Sequence, residues 1–420
     1  MTGDAACGPA GDPPVARIAL PVALRQGAPA AVLAALPGSR AVGGAVRDAL
    51  AGLALHDVDV AAPLPPEEIS ARLRAAGLKV FETGLAHGTV TAVLDHEPVE
   101  VTSLRRDVVT DGRHAEVAWT EDWREDAARR DFTINAMSLS AGGALWDYFG
   151  GRADLAAGRV RFVGEPCIRL QEDYLRALRF FRFQARYGRG APDQEAVAAI
   201  RAAVPGLARL SVERVWMELK RLLAAPDPRE AVALMAETGV LGAVLPEAQP
   251  PQLQDLGCLV RAAAPHEPVL WLTVLLPPAT ADLAGDIARR LRLSGEERDD
   301  LVHLHTELAS RPFIPDRTEP MRRQWYATRT SQRMALLEAW LAEARDQQDR
   351  SALRRWIEQT PFPRLPVMGR DALAIGIGPG PQVGRLLKAL EAWWQAGGGT
   401  APREACLAKL RELAAAEPSG

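Results

Sequence analysis

Apolar residues recur along the chain in two rhythms, and the switch between them divides it. From about Val15 to Gly150 both are present. An apolar helix is predicted near Pro29 to Leu36, a short strand at Arg40 to Val42, and a helix from Ala45. Alternating runs follow at His56 to Ala61, Gly88 to Leu94 and Pro98 to Ser103, the period of half-buried strands. Leu104 to Glu125 is rich in Arg, Asp and Gly with little periodicity, and is expected to be a mobile loop. After Gly151 strand signals cease, and helical spacing holds to the end. Pro and Gly clusters at Ala225 to Pro228, Pro246 to Pro251, Pro277 to Pro278 and Pro361 to Pro366 cut that part into sub-units. The expected class is α+β: a head with a small mixed sheet and helices, then an all-helical neck, body and tail. The expected division is a disordered leader at 1–16, a head at 17–150, a neck at 151–225, a body at 226–330 and a tail at 331–420.

Composition narrows the function classes. At 420 residues the chain exceeds what one core usually serves. Its 48% hydrophobic and 25% charged residues are ordinary for a globular protein. The net charge of -3 does not announce a nucleic-acid binder, but charge is unevenly spread. Between Arg159 and Leu222 thirteen Arg or Lys face seven acids, an excess able to hold phosphates. Cys7, Cys167, Cys258 and Cys406 are widely spaced, which argues against a zinc site or disulfide framework and suits a reducing cytoplasm. The start of the chain lacks the layout of a signal peptide. The best apolar run, Pro268 to Leu276, is too short to span a bilayer, so no membrane role is expected.

Two motifs carry candidate chemistry in the head. Gly43-Gly44-Ala45-Val46-Arg47-Asp48 follows a short strand and opens a helix. Two glycines let backbone approach a phosphate, and Arg47, oriented by Asp48, can add a charged contact. Alone, such a pair is as readily an ordinary tight turn. Asp57-Val58-Asp59-Val60 then puts two carboxylates on one face of a strand, with the valines facing the core. Folding does not ask for two like charges there, whereas clustered oxygens suit hard divalent cations. An isolated pair would equally suit a solvated strand end. Twelve residues separate Gly44 from Asp57, about one helix plus a turn, which returns both motifs to the same end of the sheet.

This combination resembles the polymerase-β nucleotidyltransferase superfamily. The resemblance implies a polymerase-β-like head and a third carboxylate on a neighbouring strand, for which Glu100 in Val99-Glu100-Val101-Thr102 is the candidate. Further on, Arg129-Arg130-Asp131-Phe132-Thr133-Ile134-Asn135-Ala136-Met137 closely resembles a signature of class II tRNA nucleotidyltransferases and the related bacterial poly(A) polymerases. Its arginines suit a triphosphate, while Phe132, Ile134 and Met137 anchor it in the core.

Glu172-Asp173-Tyr174-Leu175-Arg176-Ala177-Leu178-Arg179-Phe180-Phe181-Arg182 is expected to be one continuous helix, with Glu172, Arg176 and Arg179 on a shared face. By composition it passes for a salt-bridged solvent face. The family resemblance implies instead a protein template, in which Asp173 and Arg176 read the base edge of incoming CTP or ATP. A carboxylate accepts from the amino group that C and A share, and a guanidinium donates to ring acceptors. Arg179 and Arg182 are then expected at the nucleotide, with Gly43, Gly44, Arg47 and Arg130.

The resemblance extends over about residues 38 to 246, including Thr83 to Thr89, Asp111 to His114, Asp147 to Leu155 and Leu210 to Arg214, and fades beyond. It implies a Mg²⁺-dependent enzyme that adds C, C and A to the 3′ end of tRNA. Asp57 and Asp59 would hold the metal, and Asp57, Asp59 and Glu100 would be the catalytic carboxylates. The tRNA acceptor arm, CTP and ATP are the implied partners; no protein partner is evident. A poly(A) or A-only polymerase is the alternative, disfavoured because Phe81 to Thr89 lacks a Gly-Arg-Arg-Phe-like element. A catalytically inactive tRNA-binding relative would have shed Asp57, Asp59, Arg130, Asp173 or Arg176, and all are present. His303 and His305 do not make a ligand spacing and are expected at the surface. Gly376 to Gly380 reads as a turn, and Trp393-Trp394 as helix packing.

Overall fold

The computed structural model describes residues 12–55, 57–85, 88–110, 115–248, 250–278, 280–310 and 318–416. They form two compact units, Met1–Gln249 and Pro250–Gly420. Asp111 to His114, Ala86 and His87 lie outside the described residues.

The first unit is built on an eight-stranded sheet, together with a two-stranded ribbon. The sheet strands are β1 (Ala16–Arg17), β2 (Arg40–Val42), β3 (Asp59–Ala62), β4 (Lys79–Gly84), β5 (Thr89–Leu94), β6 (Glu97–Ser103), β9 (Met137–Ser140) and β10 (Ala144–Asp147), and β7 (Arg105–Thr110) with β8 (Ala115–Trp119) makes the ribbon. Sheet order is β1-β10-β9-β2-β3-β6-β5-β4, with only β3 and β6 parallel. Alternation in the strands separates two faces. Val60, Val90, Ala92, Val99 and Val101 are buried, while Asp59 and Glu100 are exposed.

Helices α1 (Val22–Arg25), α2 (Gly27–Ala35), α3 (Gly44–Leu50), α4 (Pro66–Ala75) and α5 (Trp123–Ala128) belong to the head. α4 starts at a proline, with Glu67 and Glu68 in its first turn and Arg72 and Arg74 in its last, as the helix dipole favours. Asp122 caps α5 by accepting from the Arg124 amide at 2.7 Å. Then come α6 (Gly151–Ala157), α7 (Pro166–Glu172), α8 (Leu175–Tyr187), α9 (Gln194–Ala203), α10 (Val212–Leu223), α11 (Arg229–Glu237) and α12 (Val240–Val244). Phe132 packs against Phe162 at 4.9 Å and Phe183 at 5.2 Å between ring centroids, which fastens the Arg129 to Met137 segment to α8. The second unit is helical throughout its described residues, from Leu253–Arg261 to Arg403–Ala416.

Four sequence expectations are corrected. Leu104 to Glu125 is not a structureless loop: β7 and β8 pair from Arg105↔Trp119 to Thr110↔Ala115, and α5 begins at Trp123. The leader does not reach residue 16, because the Val15 amide donates to the Leu145 carbonyl at 2.8 Å and Ala16 pairs with Leu145. The helix expected through Glu172 to Arg182 is broken at Asp173, which is extended at φ -155° and accepts from the Leu175 amide at 3.0 Å. Finally, the two histidines are not surface residues. His303 is hydrogen-bonded to Glu338 at 2.8 Å, and His305 is buried, its pKa lowered to about 4 by burial and by Arg345. Trp394 does pack in a tail core with Leu386 and Leu390.

Candidate functional site: an arginine-lined cleft beside two aspartates

Local chain geometry sets the site's floor. Gly43 has φ +63°, a conformation that costs any L side chain, and a Cβ there would stand 3.0 Å from Arg130 Nη1. The turn therefore brings bare backbone under an arginine. α3, opened by Gly44, is seven residues long. Arg47 on α3 is buried, pairs with Asp48 at 2.9 Å, donates to Asn135 Oδ1 at 2.6 Å and lies over the Tyr187 ring at 4.5 Å. Tyr187 in turn donates to Asp48 at 2.6 Å, which fixes the pair.

Above this floor is a cleft of about 920 Å³. It is lined by Gly43, Gly44, Arg47, Asp57, Asp59, Arg130, Asp173, Arg176, Arg179 and Arg182, together with Asp48, Arg105, Arg129, Asp131, Arg186, Arg214 and Arg221. Ten arginines against five aspartates make it strongly positive. Each residue singled out from the sequence lines the cleft except Glu100. That residue stands beside it, because β3 and β6 pair with Asp59 directly opposite Glu100.

Asp57 and Asp59 are both exposed and both line the cleft, while Val58 and Val60 are buried; β3 begins at Asp59, so Asp57 sits on the segment leading into the strand and not within it as the sequence implied. The Asp59 carboxyl is pushed above the usual carboxylate range by burial and by the negative charge of Glu100 and Asp57, against a smaller pull from Arg130. Among the described residues no three Asp, Glu, His or Cys side chains gather into a complete ligand set. An open set of repelling carboxylates suits a hard cation that keeps waters and borrows phosphate oxygens.

The arginines are held by buried acids that sequence reasoning passed over. Asp126 pairs with Arg129 at 2.9 Å and Arg130 at 3.2 Å. Burial works against its charge, yet the two arginines and the Arg105 amide leave its carboxyl below the usual range. Asp131 holds Arg179 at 2.6 Å and accepts from Asn135 at 2.9 Å. Glu218 stands 2.9 Å from Arg182, whose pKa burial lowers to about 10. A usable signal existed for Glu218: it sits at helical spacing from the apolar Val215 and Leu222 of α10, where a carboxylate needs a partner.

Across the helix break the two template candidates stay within one turn, the Arg176 amide donating to the Asp173 carbonyl at 3.1 Å, but their side chains take different partners. Asp173 pairs with Arg214 of α10 at 2.6 Å, not with Arg176. Arg176 donates to Glu172 and to the Arg169 carbonyl, the latter at 2.9 Å. Arg169 also donates to the Arg130 carbonyl at 2.8 Å, tying α7 to the segment that carries the cleft arginines.

Known proteins resemble this chain in sequence and in fold. The "Poly A polymerase head domain" family matches residues 39–161, and the "Probable RNA and SrmB- binding site of polymerase A" family matches residues 191–250. The chain is 38% identical over 375 residues to the zebrafish Danio rerio protein named "CCA tRNA nucleotidyltransferase 1, mitochondrial", spanning 85% of this chain and 83% of that one. It is 41% identical over 201 residues to a Geobacillus thermodenitrificans CCA-adding enzyme, about half of each chain. In three dimensions it resembles the Bacillus stearothermophilus CCA-adding enzyme crystallised with CTP, with a TM-score of 0.73, 29% identity, and coverage of 89% of this chain and 92% of that one. With likeness at this level over most of both chains, the protein belongs to the CCA-adding tRNA nucleotidyltransferase family, with a polymerase-β-like head.

Proposed function

We propose that this protein extends the 3′ end of tRNA by C, C and A, using CTP and ATP and releasing pyrophosphate. One observation carries the reading: Asp57 and Asp59, both exposed, line a cleft together with ten arginines. Arg47 and Arg130, with the bare backbone of Gly43 and Gly44, hold the triphosphate, neutralising charge that grows on the leaving pyrophosphate. Arg179 and Arg182 bind the nucleotide from α8. Asp173 and Arg176 read the base edge: the carboxylate accepts from the amino group of C or A, and the guanidinium donates to ring acceptors. Asp57 and Asp59 would supply oxygen ligands for Mg²⁺, with Glu100 as the third catalytic carboxylate beside them. A divalent cation held by these carboxylates would supply Lewis acidity for activating the 3′-hydroxyl and for the leaving oxygen. The excess of arginine and the open carboxylate set support this assignment.

In the same reading, residues 17–150 carry catalysis, 151–225 carry nucleotide selection, and the basic neck with the tail at 331–420 grips the tRNA acceptor arm through phosphates and shape. Cys167, Cys258 and Cys406 are free thiols, consistent with a reducing compartment such as the cytoplasm; the zebrafish relative is mitochondrial by name. Among the described residues no helix is long and apolar enough to cross a membrane.

The test offers purified protein and Mg²⁺ a tRNA transcript lacking its terminal CCA. CTP alone should add two residues, and CTP with ATP three. A long tail from ATP alone would establish the poly(A) alternative, and no incorporation of any nucleotide would leave an inactive RNA binder.

A further inference from the structure

The register of the sheet sets up a relationship that the arginine cleft does not use. Phe81 of β4 pairs with Thr91 of β5, Thr91 with Glu100 of β6, and Glu100 with Asp59 of β3. Directly paired residues point to the same face, so one row crosses four strands from Phe81 to Asp59. At about 4.8 Å per strand, Phe81 stands about 14 Å from the aspartate, roughly the span of two nucleotides' worth of backbone and base. The cleft lining reaches Asp59 and includes neither Glu100, Thr91 nor Phe81.

Phe81 is 52% exposed on the edge strand β4. A second aromatic, Trp119, is 44% exposed at the end of the ribbon, and its ring lies against Gly88 at the start of β5: a Cβ there would be 2.2 Å from it. In the neighbouring row the Thr89 and Thr102 hydroxyls are 3.1 Å apart. The two sides of Asp59 thus differ in chemistry. One carries guanidinium groups, which suit a triphosphate. The other carries aromatic and hydroxyl groups, with a single cleft arginine, Arg105, paired with Trp119 across the ribbon, which suits bases and riboses with their phosphates.

We propose that Phe81 is a stacking platform for the unpaired 3′ end of the RNA primer, holding its terminal bases on the open sheet face while the last hydroxyl reaches Asp59 and Glu100. The proposal rests on the nucleotidyltransferase reading above. Continuity commits the face to this occupant. The incoming nucleotide fills the arginine side, so the attacking strand has the carboxylate row's other side open to it. An exposed aromatic on an open sheet beside single-stranded RNA is a general solution for holding bases without reading sequence.

The test uses a tRNA transcript ending one nucleotide short of completion, with the fluorescent cytidine analogue pyrrolo-cytidine as its terminal residue, whose emission falls when it stacks. Full-length protein should quench that emission without added nucleotide. Phe81→Ala should abolish most of the quench and raise KM for the tRNA about tenfold, with KM for ATP unchanged. Phe81→Trp should restore both, which separates stacking from loss of fold. Full quench and unaltered tRNA KM in Phe81→Ala would overturn the proposal. Because the quench needs no chemistry, a wild-type protein that quenches but adds no nucleotide would refute the enzymatic reading and leave the platform standing.

Discussion

The Arg179 guanidinium lies 2.6 Å from the Asp131 carboxylate, joining α8 to the segment that carries Arg129 and Arg130. Asp131 is buried, which works against its charge, but Arg179, Asn135 and the Phe132 amide outweigh this and hold its carboxyl below the usual range. A depressed folded-state pKa gives stability that is full above the unfolded value of about 4 and is lost as pH falls through the folded value. Asp131→Asn should therefore cost about 3 kcal/mol at neutral pH and flatten the loss of stability on acidification. Urea unfolding at neutral pH and at about pH 3 measures both effects.

Mutual repulsion at Asp59 leads to a prediction of opposite sign. Burial, Glu100 and Asp57 all oppose the charge of its carboxylate, so the metal-free protein carries strain at this point. Asp59→Asn should leave the protein at least as stable as the wild type in EDTA, the mutual repulsion being partly screened by solvent. Mg²⁺ should raise the melting temperature of the wild type and leave the variant's unchanged. Thermal unfolding with and without the ion is the measurement.

Base selection rests on the proposed readers Asp173 and Arg176. A site that hydrogen-bonds a base edge rejects one with reversed donors and acceptors strongly. Asp173→Ala and Arg176→Ala should each reduce discrimination of CTP and ATP against UTP and GTP about a hundredfold, measured as ratios of kcat/KM. Pyrophosphate release by the variants should fall less than their selectivity.

The turn at Gly43 should not tolerate a side chain. Its φ of +63° and the 3.0 Å approach to Arg130 Nη1 mean that Gly43→Ala costs about 1–2 kcal/mol in backbone strain and shifts the arginine. KM for CTP should rise about tenfold, while tRNA affinity in a filter-binding assay stays within twofold.

Where local patterning carried the information, the sequence was readable. Arg40 to Val42 is a strand as its apolar run implies, and exposure alternates from Asp57 to Val60, although the strand itself starts only at Asp59. What depends on register could not be read. Nothing near Phe81 signals that it shares a row with Glu100 and Asp59, because that row joins two hairpin registers to the long-range pairing of β3 with β6. The break at Asp173 was hidden for a related reason. Glu, Leu and Arg around it favour helix, and only the side chain's bonds to the Leu175 amide and to Arg214 disclose that it ends one helix and begins another. The buried acids Asp126, Asp131 and Glu218 escaped for want of contacts: a carboxylate near arginines in sequence looks like a solvated pair until the fold encloses it.

The central claim is that Asp57 and Asp59 together make the site of nucleotidyl transfer beside the arginine cleft. Incorporation of labelled CMP into a CCA-less tRNA at saturating Mg²⁺ tests it in the wild type and in Asp57→Asn and Asp59→Asn. Each variant should lose at least about a hundredfold in rate while binding CTP normally. Incorporation at the wild-type rate by either variant would contradict it.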